Sequence, residues 1–252
     1  MKPIDALSFQ MYSARTLEPL EKQFELLAGL GYKIVEPFGG LYSDVPKLTA
    51  LMAKHGMRAP TAHVGMDRLR GDLKGAAALA KSIGVETVLA PAPLMDERGQ
   101  DAAGWRKLGK ELAAIGKALR GEGLAFGWHN HHWEYGDAGG GKRHIYAMFE
   151  AAPDMLWEAD LAWIIRGGAD PAAELARYGD RVVACHVKDL APQGQKLDED
   201  GWADPGHGTM DWVKLLAALK KTTCKLFVVE HDKPSDVARF AKNARDEVAK
   251  WG

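Results

Sequence analysis

Cysteine is almost absent from this chain. Its 252 residues include two, Cys185 and Cys224, both in apolar runs and neither in a CxxC arrangement. That argues against a disulfide framework or a thiolate metal site, and for buried thiols in a reducing compartment. Net charge is also lacking: 33 Lys and Arg oppose 34 Asp and Glu, leaving a formal −1. A chain that lives on nucleic acid usually shows a basic surplus or stripe, so no nucleic-acid partner is expected. No apolar run approaches the roughly 18 residues of a membrane-spanning helix. The start, MKPIDALSFQ, lacks the apolar core of a secretory signal. These absences predict a cytoplasmic protein that engages no membrane. No linker or low-complexity tract divides the chain, and no glycine-rich phosphate loop appears.

What is present is an alternation. Hydrophobic residues make up 46% and charged residues 27%, enough for a sizeable core. Short apolar runs recur at 6–10, 33–38, 57–63, 85–91, 124–129, 155–160, 181–186 and 225–230. Amphipathic helical stretches lie near 16–29, 44–55, 67–82, 101–121, 144–152, 170–178, 209–221 and 234–250, as where Leu108, Leu112, Ile115 and Leu119 recur at three and four. Glycines often precede the next strand, and Ser43, Asp44, Asp101, Asp170 and Ser235 stand near helix starts. Continuously apolar strands separated by helices indicate a parallel sheet covered by helices. Eight such units predict an α/β fold, a closed (β/α)8 TIM barrel, as one domain over 1–252. A doubly wound open sheet competes, but commonly carries a glycine-rich turn after its first strand. Here that strand runs into FQMYSART, which has no glycine.

In such a barrel the chemistry sits at the C-terminal strand ends. The last residues of the runs are Gln10, Glu36, His63, Pro91, His129, Asp160, His186 and Glu230. Singly, each has a plain structural explanation, an ion pair or a hydrogen-bonded core histidine. Together, carboxylates converging on one mouth would repel each other unless paired, hydrogen-bonded or metal-bound. One divalent cation resolves the conflict. Carboxylate and imidazole suit Mn2+, Mg2+, Co2+ or Zn2+ without choosing among them.

The stretch LAFGWHNHHWEY, residues 124–135, is the densest in chemistry. Strand alternation puts His129 and His131 on one side and turns Trp128 to the helices, with Asn130 and His132 opposite or in a loop. His129 and His131 are expected to serve the site as acid/base groups, since an unperturbed histidine titrates near pH 6.5. His132 is expected in solvent. Glu134 is expected to bind metal or a substrate hydroxyl. Lys188 either points inward, neutralising an oxyanion or phosphate, or pairs with Asp189. Trp133, Trp163 and Trp202 form either a stacking wall for a sugar face or ordinary packing. Gln10, Glu36, His63, Lys188 and Trp163 are the candidate substrate contacts.

Six motifs in order carry a resemblance over nearly the whole chain. SFQMYSAR, GYKIVEPFGG, GWHNHHWEY, EADLAWIIRGGADP, CHVKD with VVEHD, and GHGTMDW are similar to those of the sugar phosphate isomerase/epimerase family of xylose isomerase-like barrels. This family shares its fold with endonuclease IV-type DNA repair enzymes. The resemblance implies a metal set of Glu, Asp, His and Glu from strands five to eight. Asp160, His186 and Glu230 match it; the first position falls on His129. Either His129 replaces that carboxylate, or Glu134 reaches back, or water completes three protein ligands. It also implies that Glu230 doubles as a base, in metal-dependent isomerisation or epimerisation of a sugar, keto-sugar or cyclitol through an enediolate. With the charge of Glu230 uncompensated, replacing it should leave melting unchanged or raised. The HNH-containing subgroup resembles inosose-dehydratase-type and keto-sugar-processing members, which makes lyase chemistry the alternative. A non-catalytic sugar-binding barrel and a DNA repair phosphodiesterase stand further back. Members often form dimers or tetramers, which leaves a homo-oligomer open.

Overall fold

Eight parallel strands form the centre of the computed structural model, which describes residues 2–251. They are β1 (Leu7–Gln10), β2 (Ile34–Glu36), β3 (Thr61–His63), β4 (Thr87–Ala90), β5 (Ala125–His129), β6 (Leu156–Asp160), β7 (Val182–Val187) and β8 (Leu226–Val229). From β3 to β8 each strand pairs with the next, β8 returns to pair with β1, and β1 pairs with β2. Between β2 and β3 the ring is held by backbone hydrogen bonds through Arg58: its N donates to Lys33 O (3.0 Å) and its O accepts from Val35 N (3.0 Å). The result is a nearly closed TIM barrel wrapped by helices.

The helices are α1 (Leu20–Gly29), α2 (Val45–His55), α3 (Met66–Gly71), α4 (Leu73–Ile83), α5 (Ala102–Gly121), α6 (His144–Ala151), α7 (Leu161–Arg166), α8 (Pro171–Tyr178), α9 (Trp212–Leu219) and α10 (Val237–Ala249). Aspartate side chains cap the starts of α2, α4, α5, α7, α8, α9 and α10. Each satisfies a backbone N–H that the first turn leaves free. Two elements differ from expectation. The helix expected over 67–82 is two, because the Asp72 carboxylate accepts from Gly75 N (2.8 Å) and starts α4 afresh. Helix α7 was not foreseen, since six residues display too few periodic positions.

Period-two alternation sorts the strand residues into two layers. Phe9, Val35, Ala62, Val88, Phe126, Trp128, Trp157, Cys185, Val187 and Val229 face outward into the main core against the helices. Ile34, Ala184, Leu226 and Val228 form a small separate cluster inside the barrel. Above this plug the interior turns polar, and the two layers meet at the C-terminal mouth.

The segment between β7 and α9 folds over one side of that mouth. A two-residue antiparallel ribbon pairs Asp189 with Ala203 and Leu190 with Trp202. Asp189 organises the GHGTMDW loop. Its carboxylate accepts from Gly206 N (3.0 Å), Met210 N (3.0 Å), Leu190 N (2.8 Å) and Trp212 Nε1 (3.3 Å). Gly206 sits at φ +79°, and a Cβ on Gly208 would collide with the Asp189 carboxylate, so only glycine fits this wrap. Lys188 therefore does not pair with Asp189, one of the two roles considered for it.

Candidate active site and metal centre

Strand register sets the polar layer. Across the β5–β6 pair His129 lies beside Glu158; across β6–β7 Asp160 lies beside His186; across β1–β2 Gln10 lies beside Glu36. Glu158 was missed from sequence because only the last residue of each run was read. Alternation would have found it, since Glu158 and Asp160 are two apart and share the inner face. The same rule puts Lys188 with His186 and Asp232 with Glu230.

The Asp160 carboxylate is split between two tasks. Oδ1 accepts from Trp163 N (2.8 Å) as the cap of α7, leaving Oδ2 facing inward. Asn130 fixes the backbone behind it: Nδ2 donates to Asp160 O (3.0 Å), and Oδ1 accepts from Asp160 N (3.0 Å) and Trp157 Nε1 (2.8 Å). Asn130→Ala would leave buried groups unpaired at roughly 1–3 kcal/mol each. Urea titration of that variant is expected to show a loss of about 2–4 kcal/mol, and an unchanged midpoint would refute the role.

Lys188 is wholly buried, with Nζ 2.6 Å from Asp232 Oδ2, 2.7 Å from Glu230 Oε2 and 3.3 Å from Asp160 Oδ2. Burial opposes its charge, but Asp160, Asp232 and Glu230 outweigh this and hold the ammonium above the ordinary lysine range. His186 Nδ1 lies 3.0 Å from Glu230 Oε2; its Nε2 lies 3.1 Å from Glu158 Oε2 and 3.2 Å from Glu36 Oε1. With acceptors on both nitrogens, Glu158 and Glu230 overcome burial and keep the ring charged well above its ordinary range. Burial also works against Glu230, yet Lys188 and His186 hold it ionised far below the usual carboxylate range.

Beneath these lies a second layer. Gln10 Nε2 donates to Glu36 Oε1 (2.7 Å), and Glu36 Oε2 also accepts from Thr61 Oγ1. His63 Nε2 lies 2.6 Å from Glu158 Oε2 and 3.2 Å from Glu36 Oε1. Against the effect of burial, those two carboxylates lift His63 to about 10. Glu158 itself is pushed up by burial and by the Glu36 charge.

A cavity of about 310 Å³ opens above the site, lined in part by Tyr12, Phe38, His63, His129, His131, Glu230 and Asp232. Of the five expected substrate contacts, His63 lines it. Gln10, Glu36 and Lys188 are fully buried beneath it, and Trp163 stands behind His131, ring centroids 5.2 Å apart. The tryptophan wall is not there either. Trp163 and Trp202 instead flank the Lys188 ammonium, 5.2 and 4.5 Å from their ring centres, while Trp133 stacks on His131 at 4.4 Å. The aromatic walls are Tyr12 and Phe38, which sequence reading did not pick out.

In the opening stretch β5 ends at His129, and both His129 and His131 reach the cavity while His132 is exposed and stacks on Trp163. Glu134 is a correction. Trp128 does face the helices, and its Nε1 donates to Glu134 Oε1 (3.0 Å), while His131 N donates to Oε2 (3.0 Å). The carboxylate is thus turned away from the mouth and serves to hold the loop that presents His131. Burial raises it to about 7.

The donor set fits a divalent cation. His129, Asp160, His186 and Glu230 each offer a ligand atom, all within 4.8 Å of one another. Among the described residues, buried Asp160 Oδ2 has an ion-pair contact with Lys188 Nζ (3.3 Å) but no hydrogen bond, and His129 Nδ1 has no hydrogen-bond partner. The nearest group to the latter, Glu158 Oε2 at 3.2 Å, lacks hydrogen-bond alignment. Burial, then the His186 charge, keep His129 neutral well below its ordinary range, whereas His186 must shed a proton to ligate. Zinc affinity should therefore rise about tenfold per pH unit from pH 5 to 7, as His186 gives up its proton. Competitive titration with a chromophoric chelator would measure it; a flat profile would remove His186 from the ligand set. His129→Ala should weaken binding about tenfold or more, and His132→Ala not at all.

The fold and this polar mouth define an eight-stranded parallel barrel with ionisable side chains converging at its strand ends. The chain belongs to the xylose isomerase-like TIM barrel family, whose model matches residues 24–251. Among solved structures it is similar to a sugar phosphate isomerase/epimerase from Parabacteroides distasonis, at 16% identity and a TM-score of 0.78, covering 97% of this chain and 94% of that one. It is similar to the IolI protein with a bound zinc atom (17%, TM-score 0.77, 98% and 99% covered). It is also similar to the probable 3-DHS dehydratase AsbF of Bacillus anthracis (11%, TM-score 0.76, 100% of both). At these identities the likeness is one of fold. No curated protein matches the sequence significantly.

Proposed function

We propose that the protein is a metal-dependent isomerase or epimerase acting on a sugar, keto-sugar or cyclitol. The observation that carries this reading is the convergence of His129, Asp160, His186 and Glu230 beneath a cavity of about 310 Å³. A divalent ion held there would supply Lewis-acid polarisation of a carbonyl and stabilise the enediolate that follows proton loss.

The chain's own residues do the rest. Glu230, ionised and facing the cavity, removes the proton next to the carbonyl. His131, just past the end of β5 and kept neutral by burial with Lys188 adding to the effect, faces the same cavity and, once it takes a proton from solvent, delivers it to the intermediate. Return to the neighbouring carbon isomerises; return to the other face epimerises. Tyr12 and Phe38 cover an apolar sugar face and exclude water. Lys188 and His186, at 2.7 and 3.0 Å, fix the angle of the Glu230 carboxylate.

A second reading, dehydration, rests on Asp232. Burial lifts this cavity-lining carboxyl to about 6, so a fraction is protonated near neutrality and could hand its proton to a departing hydroxyl. AsbF, a probable dehydratase on the same fold, supports keeping this outcome in view.

Purified Mn2+-loaded protein should be screened in D2O against ketoses, 3-keto-glycosides and inososes by NMR. Deuterium uptake at a carbon next to a carbonyl is the expected result, with water retained for isomerisation and a new conjugated carbonyl for dehydration. A metal-loaded protein that exchanges no proton on any member of the panel would count against both.

A further inference from the structure

We propose that the barrel floor holds a second divalent-cation seat, formed by His63, His129, Glu158 and His186, below the one bounded by Asp160, His186 and Glu230. It goes beyond the one-metal reading above and does not depend on the reaction proposed there.

Four observations carry it. Three imidazole nitrogens converge on one carboxylate oxygen: His63 Nε2 at 2.6 Å, His186 Nε2 at 3.1 Å and His129 Nδ1 at 3.2 Å from Glu158 Oε2. The four ligand atoms lie within 4.8 Å of one another. Tetrahedral zinc with bonds of about 2.0–2.1 Å separates its ligand atoms by about 3.3 Å, so an ion needs shifts of about an ångström. Three histidines and one carboxylate are a donor set that suits zinc and its first-row neighbours.

The second observation is the orphaned atoms. Glu158 Oε1 and His129 Nδ1 are buried with no hydrogen-bond partner among the described residues, although Glu158 is 0% exposed and His129 2%. A group that merely stapled strands together would have its buried polar atoms paired. The third is charge. Glu36, Glu158, Asp160 and Glu230 are all buried, and the permanent cation, Lys188, reaches Asp160 and Glu230 at 3.3 and 2.7 Å. For cationic partners Glu36 and Glu158 have only titratable histidines, His63 and His186; the neutral donors Gln10 and Thr61 reach Glu36 alone.

The fourth is that His186 addresses the two seats through different atoms. Nδ1 faces Glu230, while Nε2 faces Glu158 and Glu36. One ring can thus stand between two ions as a bridging imidazolate, both of its N–H protons having passed to solvent. His129 would serve the lower seat, leaving Asp160, His186 and Glu230 with water for the upper. His63 and His129 both form cavity wall, so an ion can enter the floor from the mouth.

Elemental analysis of the full chain, stripped with chelator and then dialysed against Zn2+, tests this. Two equivalents are expected for the wild-type chain and one for Glu158→Gln or His63→Gln, with far-UV circular dichroism confirming that each is folded. Asp160→Asn should deplete the upper seat and leave the lower. If Glu158→Gln does not fold, His63→Gln and the wild-type count carry the test. A wild-type count of one that Asp160→Asn abolishes would overturn the lower seat and leave the upper standing. Two equivalents surviving in both Glu158→Gln and His63→Gln would place the extra zinc elsewhere and overturn the proposal. No bound zinc would overturn both seats.

Discussion

Glu230→Gln is expected to lower turnover by about 10²–10⁴-fold, the range a positioned acid/base group contributes. The amide keeps the shape but cannot remove a proton, and it takes one negative charge from the metal-binding set. Melting is the informative control. Sequence reading anticipated an unchanged or raised Tm, on the view that Glu230 is uncompensated. The structure gives it two buried cationic partners, Lys188 at 2.7 Å and His186 at 3.0 Å. Losing that charge should therefore lower Tm by a few degrees, with the loss limited because Lys188 retains Asp160 and Asp232. Near-wild-type turnover would remove Glu230 from the chemistry.

Lys188→Met is expected to be the most destabilising single change at the site. It takes the ammonium from the middle of Asp160, Glu230 and Asp232, leaving buried carboxylates facing each other. Removing one partner of a buried ion pair costs about 3–5 kcal/mol. For a chain of this size that lowers Tm by roughly 6–20 °C. The Lys188 ammonium also lies over Trp163 and Trp202, and methionine keeps a side chain of similar length there while removing the charge. A divalent ion should restore part of the loss, because it replaces the missing positive charge. Scanning calorimetry with and without Zn2+ would read both effects. A Tm within about 2 °C of wild type would show that the ammonium is not the counter-charge of the site.

The barrel itself was legible in the sequence because hydrophobic periodicity is a local property. Eight apolar runs such as RVVACH and KLFVVE, each followed by an amphipathic stretch, define strand and helix without knowledge of any partner. The strand ends were legible for the same reason: a Glu, Asp or His directly after an apolar run marks the mouth. Asp160, His186 and Glu230 could be read this way, and alternation correctly turned Trp128 outward and left His132 exposed.

Pairing between side chains far apart in the chain was decided only by the tertiary structure. The partners of Lys188 lie 28, 42 and 44 residues away, and no spacing rule selects Asp232 over the adjacent Asp189. Asp189 was taken by three donors of the GHGTMDW loop and by the N–H of Leu190. Glu134 stands five residues after His129, yet the indole of Trp128 draws it to the outer layer. Glu158, in the middle of LWEAD, became part of the floor because the β5–β6 register set it beside His129 and placed His63 within 2.6 Å. Sequence determined which residues could reach the mouth; burial and strand register determined which of them meet there, and in what charge state.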